Sequence, residues 1–257
     1  MESIWIALVA FLAALLTFFS GFGLGTLLTP VFLLFFPADL AIALTGVVHF
    51  FNNLFKLVLV GRQADRQVVL RFGLPAVLAA LLGAAVMLHL SGLEARWTYG
   101  LAGRTLTVTP FKLLLSVLLA FFALMDLVPY FRTWRFDRRW LPWGGLLSGF
   151  FGGLSGHQGA LRSAFLIRAG LSRSGFIGTA VVISSLVDLT RLSVYADRVR
   201  AAGWEDQLPT VGVVTAGGIL GSWLGNRLLE KVTLARLQQF VAILLFLLSL
   251  ALASGWL

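Results

Sequence analysis

Apolar residues in this chain fall in long runs, not in the short alternations of a soluble fold. Ile4–Phe19, Leu40–Val60, Leu74–Leu90, Leu106–Val128, Ile177–Tyr195, Val211–Leu229 and Val241–Leu252 are almost uninterrupted. Runs near 20 residues match the roughly 30 Å hydrocarbon core of a bilayer at about 1.5 Å of helix rise per residue. The polar stretches between them, Gly61–Arg71, Ser91–Arg104, Tyr130–Trp140 and Asp197–Leu208, are too short for a soluble domain. The pattern predicts an all-α, polytopic membrane protein.

The order of features repeats. Ser20-Gly-Phe-Gly-Leu-Gly leads into an apolar stretch closing at Phe36-Pro37, and Gly152-Gly-Leu-Ser-Gly-His-Gln-Gly leads into another closing at Gly170. After each come one helix, a polar loop, a helix with a Leu-Gly-small step (Leu82-Gly83-Ala84, Leu220-Gly221-Ser222) and a last span. The expected units are residues 1–129, a basic linker 130–140, and residues 141–257. The linker holds Arg132, Arg135, Arg138 and Arg139 against Asp137.

Loop charge orients the units. With the linker cytoplasmic, Gly61–Arg71 falls inside and Ser91–Arg104 outside, as the positive-inside rule prefers. A single crossing over Leu141–Ile167 would put Arg168 and Arg173 outside and the acidic Asp197–Asp206 inside. A passage that enters and returns at its glycines corrects both. The same logic makes Ile4–Phe36 a there-and-back pair, too short for two full crossings. Each half becomes a Gly-broken helical hairpin plus three transmembrane helices. That odd number of full spans makes the repeats inverted, with both termini outside.

Composition agrees. Apolar residues make up 59% of the 257 and charged residues only 12%, against about 25% charged in soluble domains. The net charge of +9 lies in short loops, so it follows from membrane topology and implies no nucleic-acid partner. There are no cysteines, hence no disulfide or thiol chemistry. No Walker sequence, HExxH or Cys/His cluster is present, and no metal or other cofactor is expected. Met1-Glu2-Ser3 has no basic residue ahead of the first run, so that run is expected to be retained and not cleaved as a signal peptide. Trp97, Trp134, Trp140, Trp143, Trp204 and Trp256 flank spans, as interfacial anchors do.

Broken helices at corresponding places in inverted repeats are where secondary transporters bind substrate, near the midplane. The segments Gly21–Gly25 and Gly152–Gly159 are the first candidates, with Gly23, Gly25 and Thr26 in one and Gly156, His157, Gln158 and Gly159 in the other. Arg162 weighs most. A charge at helix centre costs roughly 2.5–3.5 kcal/mol on insertion scales, so it needs a partner or a cavity. It stands in the first turn of the half-helix opening at Gly159, where a cation is unfavourable unless an anion binds there too. Free N–H groups and a guanidinium suit a small oxyanion; the alternatives are an ion pair with Asp188 or Asp126, or snorkelling. His49, Asn52, Asn53 and Lys56 share one helical face, as do Ser184, Asp188, Arg191 and Tyr195. His49, Asn52 and Asn53 are substrate-side candidates, and Asp188, Arg191 and Lys56 are candidates for coupling or counter-charge. The rival readings are an Asp188–Arg191 pair and snorkelling of Lys56 and Arg191. The Gly145–Gly149–Gly153 and Gly217–Gly221–Gly225 ladders are assigned to close helix packing.

Gly153-Leu154-Ser155-Gly156 spells the GxSG of intramembrane serine proteases. No His follows His157 to act as base, and an adjacent His cannot readily reach the serine, so no enzyme is expected.

The broken segment Gly21-Phe-Gly-Leu-Gly-Thr-Leu-Leu-Thr-Pro30 and its counterpart Gly153-Leu-Ser-Gly-His-Gln-Gly-Ala-Leu-Arg-Ser-Ala-Phe165 resemble the TauE/SafE sulfite exporter family, of the transmembrane sulfur-containing anion transporter group. The likeness spans nearly the whole chain. It implies a multi-pass permease of the bacterial inner (plasma) membrane, carrying sulfite, sulfoacetate or a related organosulfur anion, often outward. The expected function is therefore alternating-access transport of a small sulfur-containing anion, with the lipid bilayer as its other partner and a homodimer left open. An anion channel, or a scaffold whose buried polar residues are structural, are the alternatives.

Overall fold

The computed structural model describes residues 2–18, 24–93, 96–101, 103–201, 204–228 and 235–256. It is mostly helical. The first half runs α1 (Glu2–Thr17), α2 (Leu24–Leu33), α3 (Ala38–Val60), a short α4 (Arg66–Val68), α5 (Leu74–Ser91), strands β1 (Trp97–Leu101) and β2 (Arg104–Val108), and α6 (Pro110–Leu127). A four-residue α7 (Pro129–Arg132) lies in the linker; α8 (Leu141–Ser155), α9 (Gly159–Leu166), α10 (Arg173–Ala201), α11 (Leu208–Leu228) and α12 (Ala235–Ala253) follow. Leu40–Gln63, Arg66–Ser91, Pro110–Leu127, Arg173–Asp197 and Glu205–Arg227 are long and apolar enough to cross a membrane; Ser3–Leu15 and Ala242–Ala253 are shorter apolar helices. The protein is thus a polytopic membrane protein.

Two expectations need correction. The chain is not all helix, because the loop after α5 folds into an antiparallel hairpin, with Trp97 opposite Val108 and Leu101 opposite Arg104. Its Trp, Tyr, Thr and Val residues are of the kinds that favour pleated backbone once outside a helix. The polar stretch Gly61–Arg71 is also largely helical. Asp65 caps α4 by accepting the Val68 N–H at 2.9 Å, and a π turn over Val69–Gly73 carries the helix into α5.

The break of the second half stands where its glycines predict. Helix α8 ends at Gly156, whose φ of 80° is left-handed, a conformation glycine adopts without a Cβ penalty. The chain then reverses into α9, and the N–H of Arg162 bonds the Gln158 carbonyl at 3.0 Å as that helix starts. Helices α1 and α2 pack against each other; residues 19–23, where the first break is expected, lie outside the described part.

Helices pair across the halves: α1 with α11, α5 with α8, α3 with α10, and α6 with α12. Exchanging the two halves leaves this set of pairs unchanged. Two seams rest on glycine. A Cβ at Gly145, Gly149 or Gly153 of α8 would overlap the carbonyl of Phe72, Ala76 or Ala80, and one at Gly217 or Gly221 of α11 would overlap that of Ala7 or Phe11. Both ladders serve close packing, where dispersion replaces the hydrophobic drive that lipid does not supply.

One end of the bundle is tied by the Arg138 guanidinium donating to Gln67 at 2.7 Å, Arg168 lying 3.8 Å from Asp137, and the Phe136 N–H bonding the Ala164 carbonyl. Its segments carry Arg62, Arg66, Arg71, Arg132, Arg135, Arg138, Arg139, Arg168 and Arg173 against Asp65 and Asp137. At the other end, the Tyr99 hydroxyl donates to the Ser254 carbonyl at 2.6 Å, and Ser3 meets Thr210 at 3.0 Å.

Candidate functional site

The polar faces of α3 and α10 meet inside the bundle. Asp188 is fully buried, and both its oxygens are occupied. Oδ2 accepts from His49 Nδ1 at 2.6 Å and Asn53 Nδ2 at 3.0 Å, while Oδ1 accepts from Arg191 Nε at 3.1 Å and pairs with its Nη2 at 2.9 Å. Asp188 lies about 22 Å along α10 from Arg173 at 1.5 Å per residue, near mid-helix. The Arg191 guanidinium sits between two glycines. A Cβ on Gly46 of α3 would come within 3.3 Å of it, and one on Gly156 would overlap it. Gly25, at the start of α2, faces Thr45, His49 and the Gly156 carbonyl, so the turn of the second hairpin and the start of α2 both border this network. The Tyr195 hydroxyl donates to the Gly153 carbonyl near the end of α8.

A cavity of about 30 Å³ adjoins this network. Its polar wall is Thr17 from α1, His49, Asn53 and Lys56 from α3, Arg162 from α9 and Ser184 from α10; Phe18 and Phe176 are among its apolar residues. Arg162 donates through Nη1 to the Ser184 hydroxyl. The Lys56 ammonium lies over the Phe18 ring, 5.4 Å from its centroid. Lys56 and Arg162 are 5% and 4% exposed, and no carboxylate is among the lining residues. Two cations thus lie at this depth beside Asp188, whose oxygens are taken up by His49, Asn53 and Arg191. The hollow is small, with room for little more than a water, and it is not fully enclosed.

Of the sequence candidates, His49, Asn53, Lys56 and Arg162 come together in this wall, and Asp188 and Arg191 stand directly behind it. The others lie elsewhere. Asn52 accepts from Ser222 of α11 at 2.8 Å. His157 stacks on Phe122, ring centroids 5.8 Å apart, with Nδ1 donating to the Ser155 carbonyl at 3.1 Å. Gln158 lies under Gly152, and neither of its amide atoms, nor His157 Nε2, has a hydrogen-bond partner among the described residues. Gly156 and Gly159 bracket the break. Gly23 and the Thr26 side chain lie outside the described part.

Snorkelling of Lys56 and Arg191 is overturned. Arg191 is 1% exposed, because α10 continues to Ala201 and no helix end is near. Thr17, Phe176 and Ser184 of the wall were not among the candidate site residues. Ser184 carried a signal, one turn before Asp188 on the same face; Thr17 and Phe176 carried none, since an apolar helix end does not announce what it meets. Ser155 donates to the Phe151 carbonyl at 3.2 Å and His157 approaches its carbonyl, not its hydroxyl, so the GxSG holds no nucleophile–base pair.

No curated protein matches the chain. A family model described as Sulfite exporter TauE/SafE matches residues 6–252.

Proposed function

This chain belongs to the TauE/SafE sulfite exporter family, a family of membrane transporters and not enzymes, and from that premise we propose that it carries a small sulfur oxyanion, sulfite or an organosulfonate such as sulfoacetate, by alternating access. The observation that carries the reading is the small hollow whose wall holds the buried Lys56 and Arg162 and no carboxylate. The guanidinium offers the forked donors that oxyanions accept, Lys56 adds a point charge, and Asn53, Ser184 and Thr17 supply neutral hydrogen bonds. The His49–Asp188–Arg191 layer is the barrier beside the bound anion. Gln158 and His157, at the turn of the second hairpin, meet the anion when the barrier rearranges, which accounts for buried polar atoms that otherwise lack partners.

The two halves, residues 1–129 and 141–257, act as inverted repeats that rock against each other. Helix pairing that survives their exchange supports this, as do hairpins that both border the same network. By the positive-inside rule the arginine-rich end faces the cytoplasm and both termini face outward. Counterflow of sulfite and sulfoacetate in proteoliposomes tests the proposal. Wild-type protein is expected to give saturable flux, and Arg162→Ala to lose about tenfold or more of it while staying folded in detergent, the loss of one charge-assisted interaction of about 1.5–3 kcal/mol. Wild-type rates in the variant would remove Arg162 from the site.

A further inference from the structure

Two hollows in the molecule share one side chain. Phe176 lines the cavity that holds Lys56 and Arg162, and it also lines a second pocket of about 320 Å³. The second pocket is walled by Ser163, Ile167, Leu171, Ser172 and Arg173, all at the arginine-rich end of the bundle. Consecutive residues of α9 divide between the hollows: Arg162 faces the inner one and Ser163 the outer, where the Ser163 hydroxyl has no hydrogen-bond partner among the described residues.

The arrangement has the parts of an access route for an anion. Arginines at this end raise the local concentration of small anions by focusing the field into a concave pocket. The outer pocket is about tenfold the volume of the inner one, so it admits an anion with part of its hydration shell. Between them stands an apolar ring, and apolar constrictions stop ions by excluding water. Phe176 sits in the first turn of α10, its N–H bonded to the Ser172 carbonyl at 2.8 Å. Its backbone is therefore held while its half-buried ring, packed between two apolar clusters, turns by a rotamer change alone.

We propose that Phe176 is the gate between an antechamber at the arginine-rich end, lined by Arg173, and the anion cavity, and that the anion passes its ring on that side. The inference rests on the anion reading of the cavity and adds to it a side of access and a residue that controls it.

The chain has no cysteine, so single cysteines report directly. Ser163→Cys places a thiol in the antechamber and Ala180→Cys one in the cavity, each in wild-type, Phe176→Ala and Phe176→Leu backgrounds. The probe is a membrane-impermeant sulfonate-bearing methanethiosulfonate, applied to reconstituted protein from either side. Ser163→Cys is expected to label from the arginine-rich side at a rate independent of residue 176. Ala180→Cys is expected to label slowly behind the native Phe176, at least about tenfold faster in the Phe176→Ala background, and at an intermediate rate in the Phe176→Leu background. Equal Ala180→Cys rates in all three backgrounds, or fast labelling only from the opposite side, would overturn the gate. Labelling needs no transport, so the two ideas fail separately. Absent sulfite flux with gated labelling removes the substrate; intact flux with ungated labelling removes Phe176.

Discussion

Asp188 is held on every side. A fully buried carboxylate survives only because His49, Asn53 and Arg191 satisfy it, and removing one partner of such a pair costs about 3–5 kcal/mol by stranding the other. Asp188→Asn is expected to lower the thermal midpoint in detergent markedly, whereas Asp188→Leu with Arg191→Met recovers much of it without recovering transport. An unchanged midpoint for Asp188→Asn would show that Arg191 is satisfied from elsewhere. The spacing of His49, Asn53 and Lys56, and of Ser184, Asp188 and Arg191, was legible as two polar faces, because helical period is a local property. The Asp188–Arg191 pair stood among the sequence's alternatives and is present; that His49 of the opposite half is the carboxylate's other partner was not legible, since it depends on how α3 and α10 pack. That Lys56 and Arg162 line one cavity is likewise invisible in the spacing.

At the scale of elements, the glycines divide by what they touch. Those of α8 and α11 press on carbonyls of the facing helix, and Gly156 makes a turn that also has to clear Arg191. Gly212, in the same helix as the second ladder, meets nothing within 4 Å. Gly149→Leu should force α8 off α5, with an overpacking penalty of about 1–3 kcal/mol or more. Gly212→Ala should be neutral or stabilise by up to about 1 kcal/mol, the helix-propensity gain. Unfolding of both variants in detergent checks this, and similar midpoints would mean that the seam yields. Small-residue spacing made the ladders readable in advance. The β-hairpin was not read, because a loop between apolar runs was assumed to have no structure of its own, although its Thr, Tyr and Val content pointed to strands.

For the whole molecule, the proposed orientation has a direct check. A cysteine replacing Trp256 should label with an impermeant reagent in intact cells, and one replacing Thr133 only after permeabilisation, because a hairpin plus three spans separates them. Labelling of both from one side would discard the inverted arrangement. If it holds, the antechamber opens to the cytoplasm, the side from which an exporter loads.

The sequence by itself determined that the chain lives in a bilayer, where the helix of the second half breaks, which residues share a face and to which family it belongs. Hydropathy, glycine placement and helical period are all local, and each is written in consecutive residues. Only the tertiary structure decided that α3, α9 and α10 bring Lys56 and Arg162 to one cavity, that Asp188 stands behind its wall on His49 and Asn53, and that Asn52, His157 and Gln158 lie outside that wall. Those outcomes depend on the depth and rotation at which helices from opposite halves pack. A shift of one residue turns a side chain by about 100° about its helix axis, and only the summed contacts of the whole bundle select among such arrangements.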